Sequence, residues 1–237
     1  MTDEDRQRLD VLGQRLTDAR RERLQAVLSE RTRAVTLVLE GMRQAHNASA
    51  VLRSCDVYGI QDVHIVDVDE QFEIKRDIAL GTNKWLTLHY HESLADCVQS
   101  LREAGYRLVA SSPHPPATPL SRLDLSQPVA LLLGSELYGL SPAAEAAADE
   151  RVTIPMRGFA ESLNVSVAAA VMLHDLRGRL REQTLAGGPD WRLPADERSE
   201  LFLRWTRASI PDCDAFETEL ERRGELPPRA GGLDTPS

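Results

Sequence analysis

The apolar residues between positions 35 and 182 follow two spacings that alternate along the chain. Short runs rich in Val, Leu and Ile are separated by longer stretches in which apolar residues recur every three or four positions. The short runs are typical of buried strands and the longer stretches of amphipathic helices. This alternation predicts an α/β domain with a mostly parallel sheet of about six strands and helices on both faces. The predicted strands lie at 35–39, 63–66, 85–90, 108–110, 129–133 and 152–154.

Capping residues predict where several helices begin and end. Asn47 is expected to cap a helix over 48–58, which Gly59 ends in the left-handed conformation. Ser141 followed by Pro142 predicts the start of a short helix rich in alanine.

The remaining helices are predicted from spacing and from the residues that flank them. Ser162 is expected to cap the longest helix, which runs from 163 to about 181. An amphipathic helix is predicted over 92–104, and a short helix or turn around 76–80. Four prolines lie within 111–119, so this stretch is predicted to be an irregular loop at a strand end.

Charged helical stretches flank the predicted sheet. Apolar residues at helical spacing over 3–30, interrupted by Gly13, predict a helical extension, and 196–223 has the pattern of one or two charged helices. The Gly187-Gly188-Pro189 sequence is typical of a linker. The predicted organisation is an N-terminal helical extension at 1–34, a central domain at 35–182, and a C-terminal helical extension and tail at 183–237.

The composition is that of an ordinary globular protein, with 42% hydrophobic and 27% charged residues among 237. No apolar run approaches the roughly 20 residues of a membrane span, and the first 30 residues are charged, unlike a signal peptide. A cytoplasmic protein without a membrane segment is therefore expected. Cys55, Cys97 and Cys213 form no CxxC pair, which argues against a disulfide framework or a metal site and predicts reduced thiols.

The arginines are grouped, although the formal net charge is −9. The basic residues are 26 arginines and only two lysines, and arginine is suited to bidentate phosphate contacts. A GC-rich genome would produce the same bias. The grouping nevertheless predicts positive surface at both ends of the central domain. The arginines concerned are Arg15, Arg20, Arg21, Arg23, Arg31 and Arg33 before the first strand, and Arg177, Arg179 and Arg181 in the longest helix.

Three clusters of polar residues and glycine follow predicted strands directly. In parallel sheets, ligands bind outside the carboxyl ends of the strands, so such clusters are candidates for a shared site. Glycines there allow a close approach of the backbone to a ligand. Each cluster alone is also explained by ordinary helix capping. The clusters are His46-Asn47 with Arg53, Gly134-Ser135-Glu136 with Gly139, and Ser162 with Asn164.

Together, these three segments resemble the motifs of the SPOUT superfamily of RNA 2′-O-ribose methyltransferases. The segments that carry the resemblance are 46–53, 132–141 (Leu-Leu-Gly-Ser-Glu-Leu-Tyr-Gly-Leu-Ser) and 154–168. Gly81-Thr82-Asn83-Lys84-Trp85 and the two helical extensions are most similar to the TrmH/SpoU family of bacterial tRNA guanosine 2′-O-methyltransferases, which modify guanosine 18 of the D-loop. The likeness spans residues 5 to 210, and the third segment is the most specific.

The resemblance implies a homodimer whose C-terminal part forms a deep trefoil knot that binds S-adenosylmethionine. Family active-site positions correspond to Asn47, Arg53, Glu136, Ser162 and Asn164, whereas His46 is expected to be structural. The cofactor would be held largely by backbone groups of two loops. The residues implied in cofactor binding are Leu133, Gly134, Glu136, Gly139, Ile154, Met156, Ser162 and Leu163.

The resemblance also implies that Arg53 activates the ribose 2′-hydroxyl with help from the substrate phosphate. Arginine has a pKa above about 12 and is a poor general base at neutral pH, so orientation of the phosphate and stabilisation of charge are the better assignment. RNA contacts are expected from Arg15, Arg20, Arg21, Arg23, Arg177, Arg179 and Arg181. The family pattern Gln-Arg-Gln-Arg is replaced here by Arg177-Gly178-Arg179-Leu180-Arg181, which leaves open which of these arginines contacts RNA.

Two alternatives to a tRNA position-18 methyltransferase follow from the same residues. One is methylation of rRNA or of another tRNA position. About 34 residues precede the first predicted strand, which favours tRNA because rRNA-specific relatives often carry a separate N-terminal domain. The other is a catalytically silent RNA-binding dimer, against which the presence of both Arg53 and Asn164 argues.

Overall fold

A computed structural model of the chain describes residues 1–66, 81 and 83–228. The chain forms two compact units. The larger unit is Arg31–Arg192, and the smaller one combines Met1–Glu30 with the chain from Leu193 onward. The predicted turn around 76–80 lies outside the described residues.

The larger unit is built on one sheet in which every strand pairing is parallel. The strand order is β3-β2-β1-β6-β4-β7-β5. An α/β architecture with a parallel sheet is thus confirmed. The strands of the described residues are β1 (Val35–Glu40), β2 (Asp62–Val66), β3 (Thr87–His91), β4 (Arg107–Ser111), β5 (Thr118–Pro119), β6 (Val129–Leu133) and β7 (Glu150–Thr153).

Eight α-helices accompany these strands in the described part of the chain. Two 3₁₀ turns, Asn83–Trp85 and Leu120–Arg122, lie beside β3 and after β5. The helices are α1 (Asp3–Gly13), α2 (Asp18–Leu28), α3 (Ala45–Val57), α4 (Leu94–Glu103), α5 (Pro142–Ala147), α6 (Val165–Leu185), α7 (Ala195–Ala208) and α8 (Cys213–Arg222).

The sheet is covered by helices on both faces, as predicted. On one face, α3 and α6 pack over alternate strand residues such as Leu37 and Leu131. On the other face, α4 and α5 cover the intervening residues, among them Val38 and Leu132. The central strands β1 and β6 are buried along their whole length, which explains why their sequences are nearly continuous apolar runs.

Both helix starts predicted next to the site were placed on the wrong residue. α3 begins at Ala45 after Gln44, so Asn47 lies inside the first turn and does not cap it. α6 is capped by Asn164, whose Oδ1 accepts the Ser166 N–H at 2.9 Å, and Ser162 lies outside the helix. Asn164 satisfies the start of α6 with its side chain, whereas Gln44 makes no side-chain capping bond at the start of α3.

Two other boundaries also differ from prediction. The third strand begins at Thr87 rather than at 85, because Trp85 belongs to a 3₁₀ turn. The proline-rich stretch contains a short edge strand, β5, at a position where Pro119 needs no ladder hydrogen bond. The predicted Ser141 cap with Pro142 in the first turn is confirmed, and Gly59 has the expected positive φ of 71°.

The smaller unit contains the predicted terminal helices and has a small core of its own. α7 packs against both α1 and α2, and Leu12, Leu203 and Cys213 lie together in its interior. Arg8 forms a buried ion pair with Glu217 at 3.3 Å and a partly buried one with Glu221 at 2.8 Å. The predicted break at Gly13 is confirmed, since Gly13 is the last residue of α1.

The structure shows the state of the cysteines and the apolar length of the described helices. Cys55, Cys97 and Cys213 are free thiols and all three are buried. Of the helices that the structure describes, none is both long and apolar enough to cross a membrane.

Candidate active site

Three loops follow β1, β6 and β7 and lie at the carboxyl ends of these parallel strands. The first loop (41–44) leads into α3, the second loop (134–141) into α5, and the third loop (154–164) into α6. β1 and β6 are neighbours, and β4 alone separates β6 from β7. Parallel strand order therefore places the three polar clusters at one edge of the sheet.

The side chain of Asn47 connects the three clusters. Its Nδ2 donates to Glu136 Oε1 of the second loop and, at 3.0 Å, to Gln44 Oε1. Its Oδ1 accepts from Asn164 Nδ2 at 3.3 Å. Asn47 is only 4% exposed, so these bonds satisfy an amide that burial would otherwise leave unpaired. Three of the five predicted active-site residues are thus brought into one hydrogen-bonded network.

The second loop is closed by its own backbone. Ser135 and Gly139 exchange hydrogen bonds of 3.0 and 2.9 Å, and Gly139 has a φ of 67°, which favours glycine. The Ser135 hydroxyl also accepts the Tyr138 N–H at 3.2 Å. A Cβ on Gly134 would lie 2.0 Å from the carbonyl carbon of Gly139, so no other residue fits there without moving the loop.

Glu40, which was not among the predicted site residues, anchors the end of the second loop. This buried carboxylate at the end of β1 accepts the N–H of Ser141 at 2.8 Å and its hydroxyl at 2.7 Å. The same hydroxyl caps α5 by accepting the Ala144 N–H at 3.0 Å. An acidic residue directly after an apolar strand was the available signal, since a buried charge requires partners.

The third loop borders an open cavity of about 490 Å³. Ile154 and Met156 are partly buried in its wall, whereas Phe159 is fully exposed. The loop after β4 forms the opposite wall, which the sequence did not predict. The lining residues include Pro113, His114, Pro115, Ile154, Met156 and Glu161.

Arg53 lies on α3, about 9 Å along the helix axis from Asn47. Its side chain is exposed and makes no hydrogen bond or ion pair with any residue that the structure describes. Ser162 and Leu163 are likewise exposed and are not part of the Asn47 network. His46 is exposed too.

The three arginines of α6 differ from one another in their surroundings. Arg177 Nε donates to the carbonyl of Tyr58 at 2.8 Å. Arg179 donates to the carbonyl of Leu120 at 3.0 Å and to that of Leu123. Arg181 alone of the three is exposed and has no partner among the described residues.

The arginines before β1 also divide into engaged and exposed side chains. Arg20 donates to the Ser209 hydroxyl at 3.2 Å, Arg21 donates to the Gly13 carbonyl at 2.6 Å, and Arg15 stacks over Phe216 at 4.3 Å. Arg23 is exposed and has no partner in the described parts of the chain. The prediction that Arg31 contributes positive surface is wrong, because its side chain is fully buried.

The burial of Arg31 has a structural explanation. Its guanidinium forms an ion pair with Asp56 and donates to the Ile60 carbonyl at 3.0 Å. Burial lowers the pKa of Arg31, and the nearby Asp56 carboxylate opposes this effect. Arg31 therefore fixes the end of α3 to the chain that leads into β2.

The parallel sheet and the polar network at its carboxyl edge are features of a methyltransferase of the SPOUT type. Residues 34–174 match the SpoU rRNA Methylase family, and the chain belongs to this family. It is 34% identical over 217 residues to the tRNA (guanosine(18)-2′-O)-methyltransferase of Borreliella burgdorferi, an alignment that covers 92% of this chain and 98% of the relative.

The chain is also similar to solved structures. The crystal structure of the A. aeolicus TrmH/SpoU tRNA modifying enzyme superposes with a TM-score of 0.71 at 26% identity, covering 84% of this chain and 98% of that one. The SpoU methyltransferase AviRb from Streptomyces viridochromogenes, in complex with the cofactor AdoMet, has a TM-score of 0.56 at 26% identity, covering 65% and 64% of the two chains.

We predict that Gly134→Ala disrupts the second loop. The added Cβ meets the backbone of Gly139 and Leu140 within 2.2 Å, so the Ser135–Gly139 bonds must break or shift. Calorimetric titration with S-adenosylmethionine should show at least a ~10-fold loss of affinity, which corresponds to about 1.4 kcal/mol. Gly178→Ala is the matched control, because a Cβ there meets nothing within 4 Å. Undiminished cofactor affinity in Gly134→Ala would show that the loop does not hold the cofactor.

Proposed function

We propose that this protein transfers a methyl group from S-adenosylmethionine to the ribose 2′-hydroxyl of a tRNA guanosine, at position 18. The observation that carries the proposal is the network through which Asn47 joins Glu136 and Asn164, with Arg53 exposed on the same helix as Asn47. The Borreliella burgdorferi relative supports the choice of tRNA, since it carries that activity in its name and aligns along nearly all of its length.

The residues of the second and third loops suit S-adenosylmethionine. Gly134 and Gly139 bring backbone groups close to the surface without intervening side chains, and the third loop lines a cavity large enough for a small ligand. The cofactor supplies a methyl group already activated on a sulfonium sulfur. The residues that would hold it are Leu133, Gly134, Glu136, Gly139, Ile154, Met156, Ser162 and Leu163.

Glu136 is a charged group of the site whose position is set by the Asn47 network. Asn47 donates to one of its carboxylate oxygens, and Asn47 is itself held by Gln44 and Asn164. A carboxylate fixed in this way can accept hydrogen bonds from a substrate group without losing its own orientation. We assign Asn47 and Asn164 as positioning residues and Glu136 as a substrate-contacting residue.

Arg53 is assigned to the substrate phosphate. Its guanidinium is exposed and is not engaged by a described residue, so it is available to a ligand. A planar guanidinium binds a phosphate with two parallel hydrogen bonds, which would fix the neighbouring ribose. Alignment of the 2′-oxygen with the methyl donor is then the main contribution of the protein to the rate.

Purified protein incubated with S-adenosylmethionine and tRNA should methylate guanosine 18, as mapping of the modified nucleotide will show. Arg53→Ala should slow single-turnover methylation by a factor of about 10² to 10³, in the range for loss of one charge-stabilising group. Cofactor affinity should be unchanged, because Arg53 is not among the proposed cofactor contacts.

Arg122→Ala is the control for this experiment, since Arg122 is an exposed arginine of the same unit outside the three loops. An unchanged rate in Arg53→Ala would refute the role assigned to Arg53. Methylation of rRNA or of another tRNA nucleotide would overturn the proposed target, and absence of cofactor binding would support a silent RNA-binding protein.

The proposed RNA contacts are electrostatic and are centred on the exposed arginines Arg23 and Arg181. Arg177 and Arg179 already bind backbone carbonyls of their own unit, so their main role is to hold α6 in place. The RNA is expected in the cytoplasm, which is therefore the proposed location of the protein.

We predict that tRNA affinity falls steeply with salt, because binding releases counterions from the phosphates. Arg181→Ala should reduce the slope of log K against log salt by about one. Arg179→Ala should leave that slope unchanged and instead lower the urea midpoint of unfolding, since two carbonyls lose their donor. A salt-independent affinity, or an equal change of slope in both variants, would contradict this division.

We also propose that the C-terminal part of the chain forms a trefoil knot. The path of the chain supports it, since β7 lies near one edge of the sheet whereas the next helix, α6, packs on α3 beside the central strands. The third loop must carry the chain back across the carboxyl edge between these two positions.

A homodimer is proposed from the exposed apolar side chains at the start of α6. Val167 and Val171 are one turn apart on α6 and are 47% and 40% exposed, and Leu163, which precedes the helix, is 37% exposed. A stripe of this kind on a helix is typical of a surface that another chain covers.

We predict that the double variant Val167→Glu, Val171→Glu converts the protein from a dimer to a monomer, because buried carboxylates would have no partner. Sedimentation equilibrium measures the change in mass. Leu185→Glu is the control, as this residue is 77% exposed but is the last residue of the same helix, about 21 Å along the axis from Val171. A wild-type protein that sediments as a monomer would refute the dimer.

A further inference from the structure

A cluster of three side chains with metal-ligating atoms lies on the opposite face of the sheet from α3 and α6. His64 is in the middle of β2, His91 is the last residue of β3, and Cys97 is in α4. One nitrogen of each imidazole and the Cys97 sulfur all lie within 4.8 Å of one another. None of these residues takes part in the Asn47 network or in the three loops.

The sheet register explains why these residues meet. In the parallel pair of β2 and β3, His64 is paired with His89 and Val66 with His91. Side chains two residues apart on a strand point to the same face, so His64 and His91 share one face. α4 covers this face and places Cys97 beside Val66 in a buried cluster. Since the ligands come from three separate elements, they leave no CxxC pair or other short motif in the sequence.

We propose that His64, His91 and Cys97 bind a divalent transition-metal ion, with Zn²⁺ as the natural occupant. Two imidazoles and one thiolate are ligands that zinc prefers, and three protein ligands leave a fourth tetrahedral position for water. A hard cation such as Mg²⁺ is disfavoured by this donor set, which contains no oxygen.

Burial affects the protonation of the two histidines. Burial, together with the nearby His89 and His91, lowers the pKa of His64 to about 4. Burial and the nearby His89 also lower the pKa of His91. The neutral imidazole is the form that binds a metal.

The thiol of Cys97 has to lose its proton when the metal binds. Burial and the negative charge of Glu40 raise the pKa of Cys97 to about 12, so the metal-free side chain is a neutral thiol. Binding of M²⁺ forms one metal–sulfur and two metal–nitrogen bonds and releases one proton to solvent. Proton release is therefore an independent measure of binding at this site.

The two imidazoles need to move only slightly to bind one metal ion. His64 Nδ1 and His91 Nε2 are 2.9 Å apart and share one proton in a hydrogen bond. Zinc–nitrogen bonds of about 2.0–2.1 Å in tetrahedral geometry would place the two nitrogens about 3.3 Å apart. The rings must separate by about 0.4 Å, and the proton of this hydrogen bond must move to the other nitrogen of its own imidazole, so that both rings stay neutral and only the Cys97 proton is released.

Neighbouring groups hold the imidazoles in place. The His89 ring stacks on His64 with centroids 4.6 Å apart, and His89 Nε2 is 2.9 Å from Asp62 Oδ1. Asp62 also forms an ion pair with Arg33. The stacked His89 ring, itself held by Asp62, limits rotation of the His64 ring. Without a metal, the same cluster would be only a hydrogen-bonded histidine pair beside a buried thiol.

Titration of the chelator-treated, full-length protein with Co²⁺ distinguishes these two cases. The proposal predicts a thiolate-to-cobalt charge-transfer band in the near ultraviolet and intense visible bands of tetrahedral cobalt. Both should saturate at one Co²⁺ per chain and disappear when Zn²⁺ is added. One proton per metal should be released in weakly buffered solution. Absence of a saturable thiolate band would overturn the proposal.

Variants assign the site to these residues. Cys97→Ser should abolish the charge-transfer band, and His91→Gln should weaken Co²⁺ binding at least ~10-fold, the lower end of the loss seen for outer-shell changes. Cys213→Ser is the matched control, because Cys213 is another buried free thiol, in α8. A band that survives Cys97→Ser, or that Cys213→Ser removes, would refute the assignment.

The His91→Gln variant also separates the loss of a metal ligand from a loss of folding. His91 is only partly buried at a strand end, so this change is milder than one at fully buried Cys97. Circular dichroism and the urea midpoint should report a folded His91→Gln protein in which the cobalt affinity alone is reduced. Full-affinity binding by this folded variant would contradict the proposed ligand set.

Discussion

The carboxyl edge of the sheet depends on the hydrogen bonds of the Asn47 side chain. This side chain is nearly inaccessible to water, and its amide finds partners in the second loop, in the cap of α6 and in the turn before α3. Replacing it by an apolar residue would remove the one side chain that bonds to Gln44, Glu136 and Asn164, so the three loops would lose their common partner. One residue thus links the positions of three loops that are far apart in sequence.

Most of the sheet could be predicted because apolar runs and strand burial coincide. The runs at 129–133 and 35–39 became β6 and most of β1, both fully buried. Helix starts were less predictable, since Asn47 and Ser162 have good capping side chains but Gln44 and Asn164 occupy the cap positions. Local preference is weaker than the tertiary partners of a polar side chain, which a single sequence does not reveal.

Some residues of the candidate site could be predicted from the sequence and others could not. The motif residues Asn47, Glu136 and Asn164 were found through a resemblance, and their hydrogen bonds agree with a shared site. Glu40 was missed because its partner Ser141 is 101 residues away. Burial of Arg31 and the carbonyl contacts of Arg179 could not be read from charge clusters, because clustering along the chain does not say which side chains reach solvent.

The second loop has a consequence for how such enzymes diverge. Its path is set by glycine and by backbone hydrogen bonds between Ser135 and Gly139, whereas the side chains of Leu137 and Tyr138 are 76% and 74% exposed. Mutation at these two positions alters the chemistry that the loop presents while its backbone geometry is preserved. The loop therefore combines a backbone held by its own hydrogen bonds with a tip whose side chains can change, and substitution at the tip can precede a change of specificity.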